Sequence, residues 1–213
     1  MQIKTFQFNP IGENTYILYD TTNECVVIDP GCFYAEEKSA LLDFISGNNL
    51  IVRHVLNTHM HFDHILGNNF MFEQFGLKPE ANWEDEFLLN QFSAQMRTFG
   101  IEGADEKMPP IGNYLEDNDV VTFGSQQLTV LHIPGHSPGS VVFYNREAKV
   151  LIAGDVLFRG SIGRTDLARG NYGQLVNGIK TKLMTLSPDT VVYPGHGPKT
   201  TIGFEAAHNP FLQ

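Results

Sequence analysis

The chain is poor in cysteine, in positive charge and in long apolar runs, and each shortage closes off a class of protein. Two cysteines in 213 residues, Cys25 and Cys32, are too few for a disulfide framework. They do not form a Cys-x-x-Cys pair, which argues against a zinc ribbon. Cys25 opens the run Cys25-Val26-Val27-Ile28 and reads as a buried strand residue, whereas Cys32 follows a turn and is a candidate for exposure. Lys and Arg number 14 against 24 Asp and Glu, a net charge of −10. A polyanion binder needs a basic face, so nucleic acid is not the expected partner. No stretch approaches the roughly 20 apolar residues of a membrane span. The opening MQIKTFQFNP carries neither the basic nor the apolar segment of an export signal. A soluble, cytoplasmic protein that binds no membrane is expected. Low-complexity tracts and tandem repeats are absent as well, and no feature fixes an oligomeric state.

Hydrophobic residues make up 42% and aromatics 11%, enough for a sizeable core. The length suits one domain over residues 1–213, or two fused half-units sharing an interior. Ile3 to Phe8, Thr15 to Tyr19 and Cys25 to Asp29 read as strands, the last closed by the turn Asp29-Pro30-Gly31. The spacing of apolar residues then predicts a helix over 36–45, a strand over 51–57, a helix over 62–75 ended by Gly76, and a helix over 84–99. Further strands are expected at 120–123, 127–133, 140–144 and 149–153, then a helix at 172–186 and a strand at 190–193. Two sheets packed face to face with helices outside satisfy this order; a simple doubly wound parallel sheet does not.

The densest chemistry is Thr58-His59-Met60-His61-Phe62-Asp63-His64, where a strand gives way to a helix. Alternation by two puts His59, His61 and Asp63 on one side of an extended segment, and His64 falls in the first helical turn. Four ligand-type side chains can thus face one small volume; the bland alternative is a polar turn capped by Asp63. Three further candidates share one design. His136 follows Pro134-Gly135, Asp155 follows Gly154, and His196 follows Pro194-Gly195, each just past an apolar strand and beside a glycine that permits close backbone approach. Asp155, if buried, needs a partner or a metal. His54, His132 and His208 lack such spacing and read as ordinary structural or surface histidines.

THMHFDH, PGHSPGS, AGDVLF and PGHGP, in that order, resemble the metallo-β-lactamase superfamily across nearly the whole chain. The Gly-Arg-Thr-Asp within LFRGSIGRTDLARG is similar to short glyoxalase II-like proteins and to persulfide dioxygenases, and the ending HNPFLQ resembles the short glyoxalase II-like group. The resemblance implies a four-layer αββα sandwich of two mixed sheets with its site at one edge. It implies His59, His61 and His136 on a first metal, Asp63, His64 and His196 on a second, and Asp155 bridging them. Asp63 would also orient the attacking water. Zinc is the expected metal, and iron and manganese suit the same donors. Two such cations, about 3.5–4 Å apart, would supply hydroxide at neutral pH. Asp29 resembles a residue that supports the metal ligands, with a plain turn role equally open.

Two readings stand for Arg159, Arg164 and Arg169. They form a basic patch that attracts an anionic acyl-thiol substrate such as a glutathione-like thioester, or Arg164 and Asp166 form an ion pair that holds the loop. The chain departs from full-length glyoxalase II in lacking its C-terminal helical domain and in placing Gly197-Pro198 after the last histidine. Leu77 to Asn82, apolar in the family, is polar here and marks either a sheet edge or a variable loop. The expected function is therefore thioester hydrolysis. An iron-dependent persulfide dioxygenase, a lactonase or other ester hydrolase, and a non-catalytic metal-binding scaffold are the alternatives.

Overall fold

The computed structural model describes residues 1–101 and 108–213. Strands β1 (Gln2–Phe8), β2 (Glu13–Tyr19) and β3 (Glu24–Ile28) run antiparallel, and helix α1 (Ala35–Gly47) crosses over to β4 (Ile51–Leu56), parallel to β3. Helices α2 (Phe62–Ile65) and α3 (Asn68–Phe75) follow, then β5 (Glu80–Ala81), α4 (Glu86–Leu89), α5 (Phe92–Thr98) and β6 (Asn113–Tyr114). The second half repeats the plan. Strands β7 (Val120–Phe123), β8 (Gln126–His132), β9 (Val141–Asn145) and β10 (Val150–Gly154) form an antiparallel meander. A small hairpin, β11 (Leu157–Phe158) and β12 (Ser161–Ile162), precedes α6 (Tyr172–Gly178), which crosses over to β13 (Val191–Pro194), parallel to β10. β14 (Thr200–Thr201) and α7 (Ile202–His208) follow. The two six-stranded sheets are ordered β1-β2-β3-β4-β5-β6 and β14-β13-β10-β9-β8-β7.

Alternation along the strands builds three of the layers' contacts at once. Tyr16, Leu18, Val26 and Ile28 from the first sheet meet Val130, Val141, Phe143 and Ile152 from the second in one buried cluster. The residues between them face outward: Ile17, Cys25 and Val27 pack under Leu41 and Ile45 of α1. Val142, Leu151 and Ala153 pack under Leu175, Ile179 and Leu183 on the α6 side. Strands covered on both faces read as continuous apolar runs, which is why their sequence periodicity is weak. Each fully buried Leu or Phe in these layers contributes about 1.5–3 kcal/mol.

The elements differ from the sequence expectation in particular places. The 62–75 helix breaks at Gly67, whose N–H donates to the Pro30 carbonyl at 2.7 Å. A Cβ there would lie 2.6 Å from that oxygen and 2.5 Å from Cys32 Sγ, so the break lets α3 press onto the Asp29-Pro30-Gly31 turn. The same contact buries Cys32 completely, contrary to its expected exposure, and burial pushes its thiol up to about 12. The 84–99 helix is a 3-10 turn (Trp83–Asp85) followed by α4 and α5, the bend turning Leu88, Phe92 and Met96 onto Met60, Phe62 and Ile65. The 172–186 helix ends in a π turn at Ile179–Leu183. The polar stretch before Asn82 supplies β5, a two-residue strand toward the sheet edge.

His54 clasps that edge to the second sheet. Its Nδ1 meets Glu80 Oε1 at 2.5 Å and its Nε2 meets the Thr122 carbonyl at 3.1 Å. The hydrogen bond to Glu80 raises the imidazole pKa above its ordinary value against the opposing effect of burial. A raised folded-state pKa means the clasp contributes fully below the unfolded-state pKa of about 6.5 and is lost as pH rises through the folded value. Chemical denaturation should therefore show His54→Ala destabilised by roughly 1 kcal/mol near pH 5.5, with the gap from wild type closing as pH rises above the ordinary histidine range. A gap that stays constant or widens with pH would contradict the clasp.

Candidate metal centre

The site lies at the carboxyl ends of the parallel strand pairs. Asp29 follows β3, the His59–His64 segment follows β4, Asp155 follows β10, His196 follows β13, and His136 sits in the β8–β9 turn. Backbone hydrogen bonds stitch the two sheets together here, Val141 N to Thr58 O at 2.8 Å and Asn14 N to Gly195 O at 2.7 Å, while Gly195 N to Gly154 O at 2.8 Å ties the ends of β13 and β10 within the second sheet. The seven residues singled out for metal binding are thereby brought to one place.

On one side, His61 Nδ1 and His59 Nε2 approach His136 Nε2 at 2.9 and 3.3 Å. His136 Nδ1 lies 2.8 Å from the Arg164 carbonyl, so it carries a hydrogen and the ring turns Nε2 toward His59 and His61. Tetrahedral ligands about 2.0–2.1 Å from one ion are about 3.3 Å apart, so these nitrogens already have nearly ligand spacing. On the other side, Asp63 Oδ2 lies 3.2 Å from His196 Nε2 and 3.8 Å from His64 Nε2. Asp155 stands between: Oδ1 is 3.5 Å from His64 Nε2, and Oδ2 is 3.6 Å from His136 Nε2 and 3.8 Å from His196 Nε2.

This cluster is incomplete as protein alone. His64 Nε2 and Asp155 Oδ1 are buried polar atoms without a hydrogen-bond partner, and they face each other. Orphaned groups of this kind cost free energy unless something binds them. A Cβ on Gly195 would come within 2.2 Å of Asp155 Oδ1 and 2.6 Å of His64 Cε1, so the glycine keeps that space clear. Burial, then the neighbouring His64, His61, His136 and His196, holds His59 well below the usual histidine range. Burial and His136 bring His61 down to about 3. Both rings are thus neutral donors. Burial opposes charge on Asp155 and Asp63, yet His64 above all holds both carboxyls ionised, below their ordinary pKa. Groups of histidine and aspartate atoms within 4.8 Å of one another, His59 with His61 and His136, Asp63 with His64 and His196, could each hold a metal ion.

Buried neighbours aim these side chains. Asp29 accepts from Thr58 N at 2.7 Å and Thr58 Oγ1 at 2.6 Å, and its Oδ2 lies 3.1 Å from His64 Nδ1, turning Nε2 into the site. Asn9 donates to the Asp63 carbonyl at 3.0 Å, and Tyr16 OH donates to the Pro194 carbonyl at 2.6 Å. Asp85 escaped the sequence reading. Fully buried, it accepts from Met60 N at 3.1 Å, Ser137 Oγ at 2.6 Å and Gly139 N at 2.6 Å. One carboxylate therefore clamps the His59–His61 segment to the His136 turn. Glu205 was missed too: it accepts from Thr200 Oγ1 at 2.6 Å, Gly160 N at 3.0 Å and Asn209 Nδ2 at 2.7 Å. It anchors the β11–β12 hairpin, which leads into the Arg164 carbonyl beneath His136.

The arginines are engaged separately. Arg164 lines the cavity over the cluster and binds Asp166 bidentately at 2.7 and 2.7 Å. Arg169 lies 4.0 Å over the Phe87 ring and Arg159 lies 5.3 Å over Phe204. His132 bonds the Pro138 carbonyl and His208 packs on Phe204, both away from the cluster. Replacing Asp85 with Ala should weaken metal retention by roughly 10- to 100-fold while the far-ultraviolet circular dichroism stays native. Metal content after dialysis at graded chelator concentration measures this, and unchanged retention would remove the clamp.

Residues 9–196 match the sequence model of the metallo-beta-lactamase superfamily. Hydroxyacylglutathione hydrolase GloC of Haemophilus influenzae is 34% identical over 213 residues, covering 100% of this chain and 98% of the relative. The crystal structure of BLEG-1 B3 metallo-beta-lactamase superposes with a TM-score of 0.88 at 35% identity, covering 100% of both chains. TTHA1623, solved in a di-iron-bound form, gives 0.86 at 38% identity, covering 98% of this chain and 100% of its own. With its histidines and aspartates gathered where two mixed sheets meet, the chain belongs to the metallo-beta-lactamase superfamily and is a metallo-hydrolase of that fold.

Proposed function

We propose that the chain is a dinuclear metal-dependent hydrolase of thioesters, similar in activity to hydroxyacylglutathione hydrolases. The observation that carries this reading is the pair of orphaned atoms, His64 Nε2 and Asp155 Oδ1, set between two groups of ligand-type side chains. His59, His61 and His136 would hold one cation, and Asp63, His64 and His196 the other. Asp155, with one oxygen toward His64 and the other toward His136, would contact both. Zinc is the metal proposed first; imidazole and carboxylate equally accept iron or manganese, and the di-iron form of TTHA1623 supports iron. When bound, the cations polarise a carbonyl and lower the pKa of water toward neutrality.

The chain's own residues do the rest. Asp63, kept ionised beside His64 and His196, accepts a hydrogen bond from the attacking water and aims its oxygen at the carbonyl carbon. The water oxygen forms the new C–O bond as the C–S bond breaks; one of the water's protons passes to the departing thiolate to give the thiol, the other goes to solvent, and the acyl group leaves as a carboxylate. Arg164 flanks the cavity where substrate enters, with its charge matched by Asp166. The likeness to GloC over the full chain supports the thioester class. The likeness to BLEG-1 supports a second reading, hydrolysis of a β-lactam amide.

Thiol release from a panel of thioesters should be detectable with metal-loaded protein, vanish on chelation and return with zinc, iron or manganese. Asp63→Asn should lower kcat about 10²- to 10⁴-fold. Turnover confined to β-lactams or phosphodiesters would sink the thioester reading.

A further inference from the structure

A cavity of about 300 Å³ opens over the cluster, with His61, Asp63, His136, Asp155 and His196 at its floor. Its walls are Ile11, Phe62, Leu88, Phe99, Leu167 and Ala168. These come from three separate stretches: the β1–β2 turn, the α2 to α5 region and the loop after β12. The rings of Phe62 and Phe99 pack against each other, tilted by 35°, with centroids 4.9 Å apart. Phe99 is 51% exposed and Ile11 is 37% exposed, so large apolar side chains stand at the rim of a site whose floor is ionic. Single exposed apolar residues are ordinary, but several converging on one concave site mark a ligand surface.

Charge points the same way. Among the described residues Arg164 is the only Lys or Arg lining this cavity, and its charge is already matched by Asp166, which accepts from Nε and Nη2. An anionic substituent lying on this wall would lose hydration and meet only a cation whose charge Asp166 already matches. Gln91 and Gln95 supply the remaining polar wall, and Gln95 Oε1 accepts from Phe62 N at 3.3 Å. Amides bond neutral polar groups and do not neutralise an anion.

We propose that this cavity is an acyl subsite that takes an uncharged, apolar substituent on the carbonyl carbon, an inference that rests on the thioester reading above. The substrate's acyl group is aliphatic or aromatic and carries no charge, while any polar part of the thiol lies outside the apolar wall. The volume corresponds to about ten waters' share of the liquid, which suits an isovaleryl- or phenylacetyl-sized group.

The test measures binding and turnover separately on metal-loaded protein. Acetate, butyrate, isovalerate, phenylacetate and succinate are titrated calorimetrically, and thioesters of the same acids on one common thiol are assayed for thiol release. Affinity should rise about three- to fourfold per added methylene, with succinate binding more weakly than butyrate. Leu167→Gln and Phe99→Ser should flatten the series without changing metal content. Equal affinity across the series, or tightest binding of succinate, overturns the subsite whether or not thioesters turn over. A rising series with no thioester hydrolysed supports the subsite and overturns the thioester reading instead.

Discussion

Five imidazoles and two carboxylates crowded into a largely buried seam between two sheets form the constraint on which the rest of this structure depends. Such a cluster is unfavourable in isolation, since each group has lost water and several share one volume. The protein lowers the cost partly by titration, keeping His59 and His61 neutral and the aspartates ionised beside His64. It leaves part of the cost standing at His64 Nε2 and Asp155 Oδ1. Cations would relieve what remains, and so metal binding and local stability are one free energy at this site.

Holding the cluster in place falls to groups that need touch no substrate. The parallel pairs β3–β4 and β10–β13 each deliver their carboxyl ends to the same edge, and backbone bonds from Asn14 to Gly195 and from Val141 to Thr58 lock the two sheets there. Asp29 aims His64, Asp85 couples the His59–His61 segment to the His136 turn, and Glu205 fixes the hairpin that leads to Arg164. Each of these carboxylates is buried and accepts at least three hydrogen bonds or close polar contacts, the condition under which a buried acid is tolerable. The exposed, self-paired Arg164 does not meet that description, and the apolar cavity wall beside it shifts the substrate argument from charge to shape.

The fold and the central cluster were legible because their signals are local. His59, His61, Asp63 and His64 sit within six residues, and His136, Asp155 and His196 each follow a glycine at the end of an apolar strand. The supporting acids were not legible for the opposite reason. Asp85 opens what reads as an ordinary helix start, and Glu205 lies on a short terminal helix; their partners are 25 to 54 and up to 45 residues away. The split of the 62–75 helix had a visible cue in Gly67, yet its cause is a contact with Pro30 and Cys32 that only the tertiary structure supplies. Likewise the three arginines look like one patch in sequence, and separate because Phe87 and Phe204 offer rings and Asp166 offers a carboxylate.

One pocket is expected to grip two cations through two distinct donor groups sharing Asp155. Metal stoichiometry by elemental analysis, on wild type and on His136→Ala and His196→Ala prepared alike, tests it most directly. Two ions per chain are expected in the wild type, falling toward one in each single variant. A native chain that retains no more than one ion under metal-replete conditions, or whose content is indifferent to both substitutions, would contradict it.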